Sequence, residues 1–313
     1  MVRIKSTSEL RQKQLARNKR PRGQKMGEDG IQAAGGERPV ILCGLVGMDI
    51  QASRSPAMHM REGDAQGLRL TYRLFDLAAG GHSADDLARM IDAIELTGFS
   101  GVNITHPFKQ RVIPLLHELS DEAQAIGAVN TVVFRDGRRI GHNTDWSGFA
   151  EGFERQLAGA TLGRVVQVGA GGAGAATAMA MVNLQCRELV IHDPQRDRAE
   201  ALAARFAQQA PATVVRVAAD LAQEIGAADG IINASPIGME GHPGMPIDGA
   251  LLRPDLWVAD VVYFPLETAL LRAARALGCR TAHGGDMAIF QAARAFDLFT
   301  GRTADRERMV ANF

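Results

Sequence analysis

The chain carries no net charge, with 35 Lys and Arg against 35 Asp and Glu over 313 residues. That balance excludes a partner held mainly by bulk electrostatics, nucleic acid above all. Cysteine is scarce. Cys43, Cys186 and Cys279 lie far apart beside apolar residues. They fit neither a disulfide framework nor a metal-ligand spacing, and they read as buried, reduced thiols. No apolar run approaches the roughly 20 residues that span a bilayer, and the first residues lack the apolar core of a secretory signal. The expectation is a cytoplasmic protein without membrane, nucleic acid or metal. No internal repeat stands out beyond an alternating βα rhythm. Hydrophobic residues make up 46% of the chain. That supplies a full core, in two domains or one large one.

Residues 1–38 differ from the rest. They hold Arg3, Lys5, Arg11, Lys13, Arg17, Lys19, Arg20, Arg22 and Lys25 with few apolar side chains, which predicts a disordered basic arm. Residues 39–46 then read as a buried parallel strand. In Ser53-Arg54-Ser55-Pro56, Ser55 reads as an N-cap with proline at the first helical position. Ser53 and Ser55 also flank a turn at a strand's carboxyl end, where polyols bind in open α/β sheets. Further strands are expected at 71–77 and 99–105, with a helix over 85–96 striped by Leu87, Ile91 and Ile94.

The run Asn103-Ile104-Thr105-His106-Pro107-Phe108-Lys109 reads as a strand end turning into a helix. Lys109 would stand on the first turn, and the helix would continue over 112–119. A lysine near substrate and partly desolvated serves as acid or base. Asn130 sits in an apolar strand over 126–134, where its amide needs a backbone or ligand partner. Residues 135–138 form a hairpin turn. Asp145 caps the helix starting at Trp146 or, if it faces Lys109, shares a proton with it.

A helix over 148–159 leads to a change of pattern. Strand 164–168 runs straight into Gly169-Ala170-Gly171-Gly172-Ala173-Gly174, a small-residue helix and a second strand at 188–192. In that context the glycines admit a pyrophosphate to the backbone at a helix N-terminus, a dinucleotide-binding signature. Asp193, ending the second strand, suits the ribose hydroxyls of NAD and repels a 2′-phosphate. Arg196 and Arg198 nearby could accept that phosphate, so NADP stays open. Helices are expected at 199–207, 266–277 and 287–299, and strands at 213–217, 229–236 and 257–263. Ser235 stands at a polar strand end and Tyr263 at another. Residues 283–286 read as a turn. Gln291 is either a cleft wall residue or a solvated amide.

These motifs, in this order, resemble the shikimate dehydrogenase family from about residue 39 onward. They comprise Ser53-Arg54-Ser55-Pro56, the run 103–109, Gly127-Ala128-Val129-Asn130-Thr131, Asn143-Thr144-Asp145, the glycine hexad, Asn233-Ala234-Ser235-Pro236 and Gln291-Ala292-Ala293. The resemblance implies a two-domain α/β fold with the active site between the domains. It divides the chain into a substrate domain (39–147), a Rossmann domain (148–280) and C-terminal helices (281–313) that return to the substrate domain. It implies Lys109 and Asp145 as the catalytic pair. Ser53, Ser55, Thr105, Asn130, Tyr263 and Gln291 would bind the acid. The glycine loop, Asp193, Arg198 and Ser235 would meet the cofactor. His192-Asp193-Pro194-Gln195 departs from the Asn-Arg-Thr usual in NADP-using members and resembles the NAD-using quinate/shikimate branch. Asp286 replaces a frequent glycine. The implied reaction is reversible hydride transfer at C3 of shikimate or quinate. The rivals are a biosynthetic NADP-dependent shikimate dehydrogenase and a non-catalytic quinate- and nucleotide-binding regulator. A homodimer is left open.

Overall fold

A computed structural model describes residues 38–210 and 212–313. The expected basic arm therefore lies outside the described residues, apart from Arg38. The chain runs β1 (Val40–Gly47), α1 (Ser55–Ala65), β2 (Arg69–Asp76), α2 (Leu87–Leu96), β3 (Gly101–Ile104), β4 (Glu118–Leu119), α3 (Asp121–Ile126), β5 (Thr131–Arg135) and β6 (Arg138–His142). It continues with α4 (Asp145–Gln156), β7 (Arg164–Val168), α5 (Gly172–Asn183), β8 (Glu188–His192), α6 (Arg196–Gln209), β9 (Val214–Val217), α7 (Leu221–Gly226) and β10 (Gly230–Asn233). Last come β11 (Trp257–Asp260), α8 (Ala269–Ala276), β12 (Arg280–Ala282), α9 (Gly285–Thr300) and α10 (Arg306–Ala311).

Two six-stranded sheets result, in the orders β2-β1-β3-β5-β6-β4 and β12-β11-β10-β7-β8-β9. The second is parallel throughout. Its four inner strands, β11, β10, β7 and β8, are mostly buried, as parallel sheets require. Its order reverses between β7 and β10, the crevice where ligands collect in such sheets. The first sheet is mixed: β5 runs antiparallel to β3 and β6, turning through Asp136 and Gly137 at φ 53 and 68°.

Two helices tie the sheets together. Phe149 and Phe153 of α4 join the core of the second sheet. Ile289, Phe290, Phe296 and Phe299 of α9 join Cys43, Leu45 and Tyr72 of the first. Where α4 and α9 meet, glycine is obligatory. A Cβ at Gly148 would stand 2.6 Å from the Gln291 nitrogen and 2.7 Å from the Met287 oxygen. The boundary expected after residue 147 thus falls inside α4, and β12 extends past 280.

Several expectations are corrected. No α-helix covers residues 105–119. Residues 105–112 form turns, and a single 3-10 turn covers Ile113–Leu115 before the short strand β4. Pro107 and Pro114 each lack the N–H that a helix needs. Phe108 and Val112, both fully buried, hold the segment instead, each contributing about 1.5–3 kcal/mol. Gly285 and Asp286 belong to helix α9 rather than to a turn. All three cysteines are free and buried, and burial pushes the thiols of Cys43 and Cys186 up to about 12. Among the described residues no helix is long and apolar enough to cross a membrane.

Candidate active site

Strand direction gathers the polar residues of the first sheet on one edge. β1 and β3 are parallel and end there. β5, antiparallel to β3, begins there, and β6, antiparallel to β5, ends there. The attached segments carry Ser53 and Ser55, Thr105 and Lys109, Asn130, and Asp145.

Lys109 Nζ stands 2.6 Å from Asp145 Oδ2, with the lysine side chain 27% exposed and the carboxylate 9%. A backbone bond from Val129 N to the Lys109 oxygen ties the lysine's turn to the segment that carries Asn130. Asp145 opens α4, where the helix dipole favours a negative side chain. It is not the cap: Thr144 holds that position. The Asp145 N–H donates to Asn143 Oδ1 at 3.1 Å. Asn130 Nδ2 donates to Asp145 Oδ1 and to Thr144 Oγ1, both at 2.9 Å. Its Oδ1 accepts from Thr144 N at 2.7 Å. The Asn130 amide therefore bonds to protein groups and fixes the carboxylate in turn. Gln291 comes from α9, half-buried, with its Oε1 3.5 Å from Asn130 Nδ2.

Ser55 is also inside its helix rather than at the cap, which is Arg54. Its N–H donates to Ser53 Oγ at 3.3 Å. Thr105 is half-buried and packs over Gly47, where a Cβ would come within 2.5 Å of it. Tyr263 is 49% exposed just past β11, with its ring 6.5 Å from that of Phe313. The structure thus joins Lys109, Asp145, Asn130 and Gln291 directly. Thr105 and Tyr263 make no side-chain hydrogen bond among the described residues.

Sequence reasoning gave no role to Tyr72, Asn103, Thr131 or Thr144, all buried here. The signal for Tyr72 lay in the alternation of β2, where a hydroxyl falls among the inward positions.

At the matching edge of the second sheet the exposed groups are backbone. Gly169 has φ 108°, and a Cβ there would strike Ala234 and Ser235 within 2.8 Å. A Cβ at Gly174 would stand 2.3 Å from the Gly169 oxygen, whereas Gly171 and Gly172 face open space. Among the described residues no side chain caps α5, so its first N–H groups point into that space, as a bound pyrophosphate requires. Asp193 Oδ2 accepts from Ala170 N at 2.8 Å, which sets the carboxylate beside the loop. Arg196 pairs with Glu200 at 2.8 Å, and Arg198 is exposed. These residues fit a dinucleotide. Ser235 Oγ, in contrast, donates to Asn233 Oδ1 at 2.7 Å and serves the turn after β10. Asn233 bonds Asp260 at 2.9 Å, and burial lifts the Asp260 carboxyl to about 6. Asp286 is buried where α9 crosses Gly152. Burial raises its carboxyl, and His283 and Arg155 oppose that shift.

The family profile for the shikimate dehydrogenase substrate binding domain matches residues 45–132. The profile for the shikimate 5'-dehydrogenase C-terminal domain matches residues 284–311. The shikimate dehydrogenase (NADP(+)) of Streptomyces avermitilis is 51% identical over 280 residues, covering 87% of this chain and 94% of its own. The quinate/shikimate dehydrogenase (NAD(+)) of Corynebacterium efficiens is 50% identical over 276 residues, covering 87% and 97%. Quinate dehydrogenase from Corynebacterium glutamicum in complex with NAD superposes with a TM-score of 0.83 at 48% identity, over 88% of this chain and 99% of that one. The paired lysine and carboxylate, the uncapped glycine loop and these likenesses agree, and the chain belongs to the shikimate dehydrogenase family.

Proposed function

We propose that the protein is an NAD-dependent quinate/shikimate dehydrogenase, exchanging a hydride at C3 of shikimate or quinate. The observation that carries the reading is the Lys109–Asp145 pair, 2.6 Å apart on the polar edge of the first sheet. Bound NAD supplies the hydride acceptor. The protein's own residues handle the proton. The C3 hydroxyl must lose it as the hydride leaves carbon. Lys109 relays that proton, and Asp145 orients the ammonium and balances its charge. Ser53, Ser55, Thr105, Asn130, Tyr263 and Gln291 hold the ring hydroxyls and carboxylate. Gly169, Ala170, Gly171, Gly172, Ala173 and Gly174 take the pyrophosphate, with Asp193 beside the adenosine ribose.

Asp193 favours NAD, because a carboxylate at the ribose repels a 2′-phosphate. The NADP reading rests on the free exposure of Arg198 and on the NADP-named relative. Steady-state rates with both acids and both coenzymes decide between them. A higher kcat/KM with NAD supports the proposal, and a clear NADP preference overturns it. The division into a substrate domain, a Rossmann domain and returning C-terminal helices, a cytoplasmic setting and a homodimer belong to the same proposal. Limited proteolysis, fractionation and sedimentation test them in turn.

A further inference from the structure

Behind the catalytic pair lies a row of buried polar side chains that the mechanism so far leaves idle. Tyr72 Oη donates to Asn103 Oδ1 at 2.8 Å. Asn103 Nδ2 donates to Thr131 Oγ1 at 3.0 Å and to the Asn130 carbonyl at 3.3 Å. Thr131 Oγ1 donates to Asn130 Oδ1 at 3.1 Å. Asn130 Nδ2 then reaches Asp145 Oδ1 at 2.9 Å, whose other oxygen holds Lys109.

We infer that Tyr72, Asn103 and Thr131 are positioning residues: a one-way hydrogen-bond chain from Tyr72 through Asn130 sets the Asp145 carboxylate against Lys109. The inference rests on the catalytic pair proposed above.

Two features give the chain its direction. The Asn103 amide donates to a backbone carbonyl, which can only accept, so its oxygen must face Tyr72. Burial holds the Tyr72 phenol protonated far above its usual range, so the phenol remains a donor. Every later bond then points the same way, towards the carboxylate. Aligned donors polarise one another, and the last bond, to Asp145, gains most. The Tyr72 ring is held on its far side by His59, stacked at 4.6 Å and fully buried. Both His59 nitrogens lack a partner among the described residues, so the imidazole packs there without competing for the phenol.

The test compares Tyr72→Phe in the wild-type background and in Asp145→Asn. Tyr72→Phe keeps the ring and the stacking on His59 but removes the first donor. In the wild-type background kcat should fall about three- to tenfold, the worth of one hydrogen bond, with KM for NAD unchanged. In Asp145→Asn the same change should alter kcat by less than about twofold, because the carboxylate on which the chain acts is gone. Thr131→Val breaks the chain nearer its end and should behave alike, which covers the case in which Tyr72→Phe fails to fold. Phe296→Leu disturbs the same apolar cluster without touching the chain and should leave kcat unchanged. Equal effects of Tyr72→Phe in both backgrounds, or an equal loss in Phe296→Leu, would overturn the chain. So would wild-type turnover in both Tyr72→Phe and Thr131→Val, with Asp145→Asn still slow. Full activity in Asp145→Asn itself would instead overturn the catalytic pair, and the chain with it.

Discussion

At the polar edge of the first sheet the groups facing the cleft are side chains. At the matching edge of the second they are mostly backbone N–H groups, framed by glycines. The first edge is built from Lys109, Asp145, Asn130 and their buried partners. The second is built from the shape of residues 169–174 and the uncapped start of α5. An edge made of side chains fails when its chemistry changes. An edge made of backbone fails when its space is filled. Substitutions should therefore separate the two regions by the kind of loss they cause.

The largest expected effect lies in the first region. Asp145→Asn is nearly isosteric and should lower kcat by about 10²-fold or more, while melting temperature and NAD affinity stay close to wild type. In the second region the pattern should invert. Gly174→Val drives a side chain into the Gly169 carbonyl and should destabilise the protein by about 1–3 kcal/mol, with loss of NAD binding by calorimetry. A Gly174→Val protein that binds NAD normally would break the comparison.

The two regions also differ in their response to pH. His59, beside the first sheet, is held neutral by burial, with its pKa lowered from 6.5 to about 3. Only the unfolded chain takes up that proton, so stability is lost as pH falls below about 6.5 towards 3. Asp260, in the second sheet, is raised by burial from 3.8 to about 6. Its contribution is complete below 3.8 and is lost as pH rises through about 6. Each effect is on the order of 3–5 kcal/mol at most. Urea midpoints across pH should flatten on the acid side in His59→Leu. In Asp260→Asn they should flatten between the two carboxyl values.

A smaller change sharpens the cofactor reading. Asp193→Ser removes the carboxylate that faces the loop and should raise the NADP-to-NAD ratio of kcat/KM by about tenfold, equal to about 1.4 kcal/mol. Arg198→Ala should matter least, shifting kcat/KM for NAD by less than about twofold, because an exposed arginine without a fixed partner among the described residues contributes little.

Legibility in the sequence followed the same division. β7 and β8 match their expected limits at 164–168 and 188–192, because their buried centres are apolar and clear breaks flank them. The glycine hexad was legible for a related reason: a backbone site needs glycines in a row. The segment after β3 was misread, because local pattern does not show that two prolines leave turns held by Phe108 and Val112. Gly284 and Gly285 read as a turn, yet Gly284 is where the start of α9 presses on β11's end. A Cβ there would lie 2.2 Å from the Val261 oxygen, a tertiary contact with no local signature. Lys109 and Asp145 were legible as candidates from their motifs. The Tyr72–Asn103–Thr131 row was not, because it joins three strands whose neighbours in space are distant in sequence.

The most direct test is single-turnover NADH formation from shikimate and from quinate, wild type against Lys109→Ala, with binding of both acids measured in parallel. The predicted result is rapid NADH formation in the wild type and a rate lower by about 10²-fold or more in Lys109→Ala, with each acid still bound at near wild-type affinity. NADH formation at the wild-type rate in Lys109→Ala would contradict the account.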